Sequence, residues 1–95
     1  MQPFHLAIAV DDLVAAENFY VNVLGCAMGR RSDRWIDFDL YGHQLVCHLT
    51  DRHTVPKLPS NNVDGKQVPV PHFGVVLIWK EWELLAARLR AMNIH

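Results

Sequence analysis

The stretch Pro3-Phe4-His5-Leu6-Ala7-Ile8-Ala9-Val10-Asp11-Asp12-Leu13 decides how the rest of the chain is read. Successive side chains of a strand point to opposite faces. Phe4, Leu6, Ile8 and Val10 therefore set a bulky apolar face against His5, Ala7 and Ala9. Bulk on one side suits packing under a helix. Small residues behind a histidine, on the other side, suit the wall of a cavity. The pattern restarts at Pro71-His72-Phe73-Gly74-Val75-Val76-Leu77-Ile78-Trp79, where Phe73, Val75, Leu77 and Trp79 oppose His72, Gly74 and Val76. Two histidines placed alike on two similar strands are candidates to share one metal ion.

Outward from this first strand, Asp11 and Asp12 offer a carboxylate to the free N–H groups of a helix start. The helix that follows carries Leu13, Ala16, Phe19, Tyr20 and Val23 on one face. Gly25 stands where a helix ends in a left-handed residue. Three antiparallel strands are expected next, over Cys26–Arg31, Arg34–Tyr41 and Gln44–Leu49. In the middle strand Ile36, Phe38 and Leu40 form the apolar face, and Trp35, Asp37, Asp39 and Tyr41 the other. In the last, Leu45, Cys47 and Leu49 oppose Gln44, Val46 and His48.

The segment 51–71 reads as a linker loop, rich in proline and asparagine, and is expected to be mobile enough to close over the cavity. A strand over His72–Trp79 then leads into a helix carrying Trp82, Leu85, Leu89 and Met92. Leu13, Ala16 and Tyr20 have the same spacing as Trp82, Leu85 and Leu89, so the two helices read as repeats. The expected class is α+β. A first βαβββ module spans 1–50, with a curled mixed sheet around a cavity, and a second begins at 72–95 but stops after one strand and one helix. The repeat implies that three strands are lacking, or that the chain is a natural short form.

Composition narrows the function. The chain has 95 residues, 51% of them hydrophobic, and a net charge of −1, which fits one small domain. Arg30, Arg31 and Arg34 share their surface with Asp33 and Asp37 and form no wider basic footprint, so no nucleic-acid partner is expected. No apolar run reaches membrane-spanning length. Cys26 and Cys47, with no secretory signal, read as reduced and buried in a cytoplasmic protein.

The residues Phe4–Asp12, then Ala15-Ala16-Glu17-Asn18-Phe19-Tyr20, then Val23-Leu24-Gly25-Cys26, together with Trp35–Val46 and Pro71–Val75, resemble the vicinal oxygen chelate superfamily. That group includes glyoxalase I, extradiol dioxygenases and bleomycin-resistance proteins. The resemblance covers nearly the whole chain. It implies paired βαβββ modules, commonly joined between subunits, whose sheets curl around a divalent metal. It carries a metal-ligand role onto His5 and His72 at the first-strand positions and, at the last strand of the first module, onto His48. The family's further glutamate ligand has no counterpart here, and no acidic residue lies between Asp39 and Asp51.

Zn, Ni, Fe and Mn are the ions that such imidazoles commonly hold. Trp35, Asp37, Asp39 and Tyr41, on the cavity side by parity, are the candidate substrate-binding residues. No catalytic residue is assigned. Three functions fit: a glyoxalase- or dioxygenase-type enzyme that chelates a small substrate through neighbouring oxygens, a metal-free small-molecule binder, or an inactive truncated module. A homodimer is expected, because an incomplete second module leaves strand edges and apolar surface uncovered.

Overall fold

A computed structural model describes residues 2–51, 60–70 and 72–94. Four strands, β1 (His5–Val10), β2 (Ala27–Arg31), β3 (Trp35–Leu40) and β4 (His43–Leu49), form one mixed sheet in the order β1-β4-β3-β2. β1 lies parallel to β4, while β4–β3 and β3–β2 are antiparallel. Helix α1 (Leu13–Glu17) and a π-helical turn (Asn18–Val23) connect β1 to β2. This is the expected βαβββ module.

Local chemistry sets its boundaries. Asp12 Oδ1 accepts the Ala15 N–H at 3.1 Å and caps α1. Leu24 N–H donates to the Phe19 carbonyl, five residues back, at 2.9 Å. The wider turn shifts the helical phase by about one residue. Val21 therefore packs on the core, while Phe19, expected there, stays 46% exposed. Gly25, at φ +79°, ends the segment as expected, and a side chain there would press on the Arg88 guanidinium. Tyr41 and Gly42 both have positive φ, which gives the tight turn whose twist joins β3 to β4.

The core lies between this helical segment and one face of the sheet. Phe38, Ile36, Leu45 and Cys47 are fully buried. Leu6, Ile8 and Val10 pack on the same core from β1. The Tyr20 and Phe38 rings meet at 5.1 Å. Alternation thus divides the sheet as the sequence implies, with a helical face and an open face.

Two expectations are corrected. Part of 51–71, read as loop throughout, is a hairpin of β5 (Ser60–Val63) and β6 (Lys66–Pro69). Its turn is Asp64-Gly65, both at positive φ, a pair that suits a two-residue hairpin turn. The prolines and asparagines around it hid that signal. Residues 52–59, the rest of the expected lid, lie outside the described residues.

The expected strand over His72–Trp79 is not formed. An extended segment becomes a strand only when its backbone groups pair, and 72–78 joins neither sheet. Val75 instead enters the core cluster of Cys26, Leu40 and Leu45. Trp79 already belongs to helix α2 (Trp79–Ala91). Arg88 anchors that helix by donating from Nε to the Val23 carbonyl at 2.9 Å and from Nη2 to the Asn22 carbonyl at 3.0 Å. These are free carbonyls at the end of the first helical segment, where a cation is favoured.

Candidate functional site

The open face of the sheet is organised in rows by its register. His5 of β1 lies beside Gln44 of β4, which lies beside Asp39 of β3. The next row is Ala7, Val46 and Asp37, and the third is Ala9, His48 and Trp35. A groove of about 500 Å³ opens over the first two rows, walled by Ala27, Gly29, Arg30, Asp37 and Gln44 among others.

One hydrogen-bonded chain crosses this face. His5 Nδ1 lies 2.8 Å from Gln44 Oε1. Gln44 Nε2 donates to Asp37 Oδ2 at 3.3 Å, and Arg30 Nε approaches the same oxygen at 3.6 Å. The carboxylate only accepts, so it fixes the amide with Nε2 toward Asp37 and Oε1 toward His5. Oε1 in turn requires a proton on His5 Nδ1, which leaves the lone pair on Nε2. An oriented imidazole of this kind is how a metal-binding histidine is commonly supported.

The other predicted residues are placed as follows. His48 shares the open face, as its parity implied, but stands four residues along from the His5 row, about 13 Å of strand. His72 Nδ1 is directed at the carbonyls of Pro69 and Val70, at 2.9 and 3.1 Å. The set His5, His48 and His72 is therefore not assembled in this single chain. Among the described residues no three His, Cys, Asp or Glu side chains come together to hold an ion. The reason is the unpaired 72–78 segment, which carries His72 without a place in the sheet.

Trp35 and Asp37 occupy the open face as expected, and Asp37 is only 8% exposed. Asp39 lines the groove, but its Oδ1 accepts the Gly42 N–H at 2.7 Å and so holds the β3–β4 turn. Tyr41 departs from its expected side. At φ +51° it leaves the strand's alternation and faces Leu24 and Arg88 across a second cavity. Burial raises its phenol, as does the nearby Cys26. Burial also raises the Cys26 thiol, with the Asp39 charge adding to the effect.

Two functional residues were missed. Gln44 carried the right parity, but nothing local says that it sits beside His5, 39 residues away. Arg30 read only as one of three arginines sharing a surface with Asp33 and Asp37. Only the irregular pairing of β2 brings it to the groove.

A four-stranded mixed sheet in the order β1-β4-β3-β2, covered on one face by the helical segment after β1, defines the class of fold, a βαβββ module. The chain belongs to the Glyoxalase/Bleomycin resistance protein/Dioxygenase superfamily, whose sequence model matches residues 2–94. Among solved structures it is similar to a glyoxalase/bleomycin resistance protein/dioxygenase from Alicyclobacillus acidocaldarius, at 36% identity and a TM-score of 0.72 over 97% of this chain. The chain spans 64% of the length of that protein. It shares its fold with a lactoylglutathione lyase from Agrobacterium tumefaciens, at 24% identity and a TM-score of 0.60 over 99% of this chain and 72% of that one. No curated protein matches the chain. Among the described residues no helix is long and apolar enough to cross a membrane.

Proposed function

We infer that this chain supplies one part of a divalent-metal site, at which a small substrate with neighbouring oxygens is bound for glyoxalase- or dioxygenase-type chemistry. The observation that carries this reading is the orientation of His5. Its Nδ1–H is held by Gln44, itself held by Asp37, so Nε2 is free to donate. Zn, Ni, Fe and Mn all accept an imidazole nitrogen. A catalytic zinc site needs about three protein ligands, and His5 fits as one of them. His48 and His72 do not reach the His5 row within one chain, so they are proposed as further donors from the second copy in a homodimer.

A bound divalent ion supplies Lewis-acid polarisation of the substrate oxygens. The chain's own residues do the rest of the work. Gln44 and Asp37 keep the His5 proton on Nδ1. The Arg30 guanidinium balances the Asp37 charge. Trp35, Ala7, Ala9 and Val46 give the open face an apolar floor for the carbon skeleton. Support for the dimer comes from uncovered apolar surface on and before α2. Val76 is 99% exposed, Ile78 and Trp79 68%, and Leu84 64%. Two free, buried cysteines are compatible with a cytoplasmic protein.

A second reading, a metal-free binder of a flat molecule, is favoured by one feature. The Arg30 guanidinium lies over the Trp35 ring, 5.8 Å from its centre, beside a groove with apolar walls. Titration of the metal-stripped full chain with Zn, Ni, Fe(II) and Mn separates the two. Saturable binding of one of these ions, weakened at least tenfold by His5→Ala, is expected from a supported ligand. If none binds to the dimeric protein, the metal reading falls and the metal-free one stands.

A further inference from the structure

The pairing of β2 with β3 contains a bulge. Ala27 lies opposite Asp39 and Met28 opposite Phe38, but Arg31 lies opposite Ile36, so β2 has one residue more than β3 between these points. Gly29 and Arg30 share the position opposite Asp37. A Cβ on Gly29 would come within 3.2 Å of the Asp37 Cβ, and the Arg30 Nε stands 3.6 Å from Asp37 Oδ2.

The bulge sorts the two neighbouring arginines. Without it, strict alternation from Ala27 would put Arg31 on the open face and Arg30 on the helical one. With it, Arg31 shares a side with Met28, 3.9 Å from its sulfur, and pairs with Glu17 of α1 at 2.7 Å. Arg30 is turned to the open face, over Trp35. Bulges commonly serve to re-aim a side chain beside a site.

The geometry of Arg30 leaves one half of its fork unused. Asp37 Oδ2 lies on the Nε side, 3.6 Å away, and the guanidinium carbon stands over Trp35, 5.8 Å from the ring centre. The side chain is otherwise 82% exposed, and Asp37 is its one ionic partner among the described residues. The Nη1–Nη2 edge is the part that matches a carboxylate in a bidentate manner. The other charged groups on the groove are already engaged. Asp37 accepts from Gln44, and Asp39 accepts from Gly42. Two carboxylates against one arginine leave the groove net negative, which disfavours a dianion such as phosphate more than a singly charged carboxylate.

We propose that Arg30 is a specificity residue that binds a carboxylate of the ligand in this groove, so that the substrate class is a small organic acid. This rests on the reading of the open face as the ligand site. It needs no metal to test. Salicylate and salicylamide carry the same ring and neighbouring oxygens but differ in charge. Both are titrated into the full chain in EDTA-containing buffer and followed by backbone and arginine Nε–H NMR shifts, with inorganic phosphate as a third probe.

Salicylate is expected to shift Arg30 Nε–H and to bind about tenfold tighter than salicylamide, the ratio a charged hydrogen-bonded pair gives at a partly wetted site. Arg30→Gln removes that advantage and leaves salicylamide binding unchanged. Arg30→Lys, a point charge with no fork, restores part of it. Salicylamide binding at the groove with no Arg30-dependent preference for the acid overturns the proposal and spares the groove. Phosphate binding tighter than salicylate overturns the carboxylate assignment. If neither aromatic probe shifts Ala27, Gly29 or Gln44, the groove reading itself falls, and this proposal with it.

Discussion

Replacing Gln44 by leucine keeps the size of the side chain and removes both of its hydrogen bonds. The bond from His5 is short at 2.8 Å and the one to Asp37 is long at 3.3 Å. Each is worth about 0.5–1.5 kcal/mol net, and neither is fully buried, so the fold should lose only ~1–2 kcal/mol. The effect on His5 is larger in kind. Its proton is no longer required on Nδ1, and a bias of about 1 kcal/mol corresponds to a roughly fivefold change in tautomer ratio. Loss of such an outer partner commonly lowers metal affinity by about 10–100-fold.

The first readout is the pair of ring nitrogen shifts of His5, measured by long-range proton–nitrogen correlation well above the histidine range of pH. The unsubstituted chain should show Nδ1 protonated, and the leucine variant a mixture. Gln44→Glu, which keeps an acceptor, should preserve the Nδ1–H form. The second readout is the affinity for the ion identified by titration. Identical His5 nitrogen shifts in all three proteins would refute the idea that Gln44 sets the tautomer, whatever the metal does.

Phe38→Ala should cost about 3–5 kcal/mol, because the ring is 1% exposed and meets Tyr20 in the core; urea denaturation followed by fluorescence measures it, and a loss below about 1 kcal/mol would contradict this core. Burial lifts the Cys47 thiol from 9.0 to about 11, so the folded state holds this proton more tightly than the unfolded chain does. Its contribution to stability is complete below pH 9 and is lost as pH rises toward about 11; urea midpoints across that range should fall, and fall less in Cys47→Ala.

The sequence by itself determined whatever depends on near neighbours. The alternation of β1 put His5, Ala7 and Ala9 on one face and Leu6, Ile8 and Val10 on the other, because the period of a strand is two whatever surrounds it. Asp12 as a cap, Gly25 as a stop and the β3–β4 turn are likewise short-range chemistry. The same reasoning failed at Tyr41, where one positive φ ends the alternation, and at Phe19, where a wide helical turn shifts the phase. The Asp64-Gly65 turn is short-range chemistry too, but its polar flanks lack the alternation that marks a strand.

Only the tertiary structure decided which open-face residues meet. Parity tells that Gln44 and His48 share the face of His5, but the pairing of β1 with β4 decides that Gln44 is the neighbour. That register is fixed by packing between segments 39 residues apart. The extra residue in β2, which exchanges the sides of Arg30 and Arg31, is equally invisible to a periodicity count. His72 shows the limit from the other direction. Its surroundings copy those of His5 in sequence, yet a strand exists only where another backbone pairs with it, and in this chain residues 72–78 lend Val75 to the core instead.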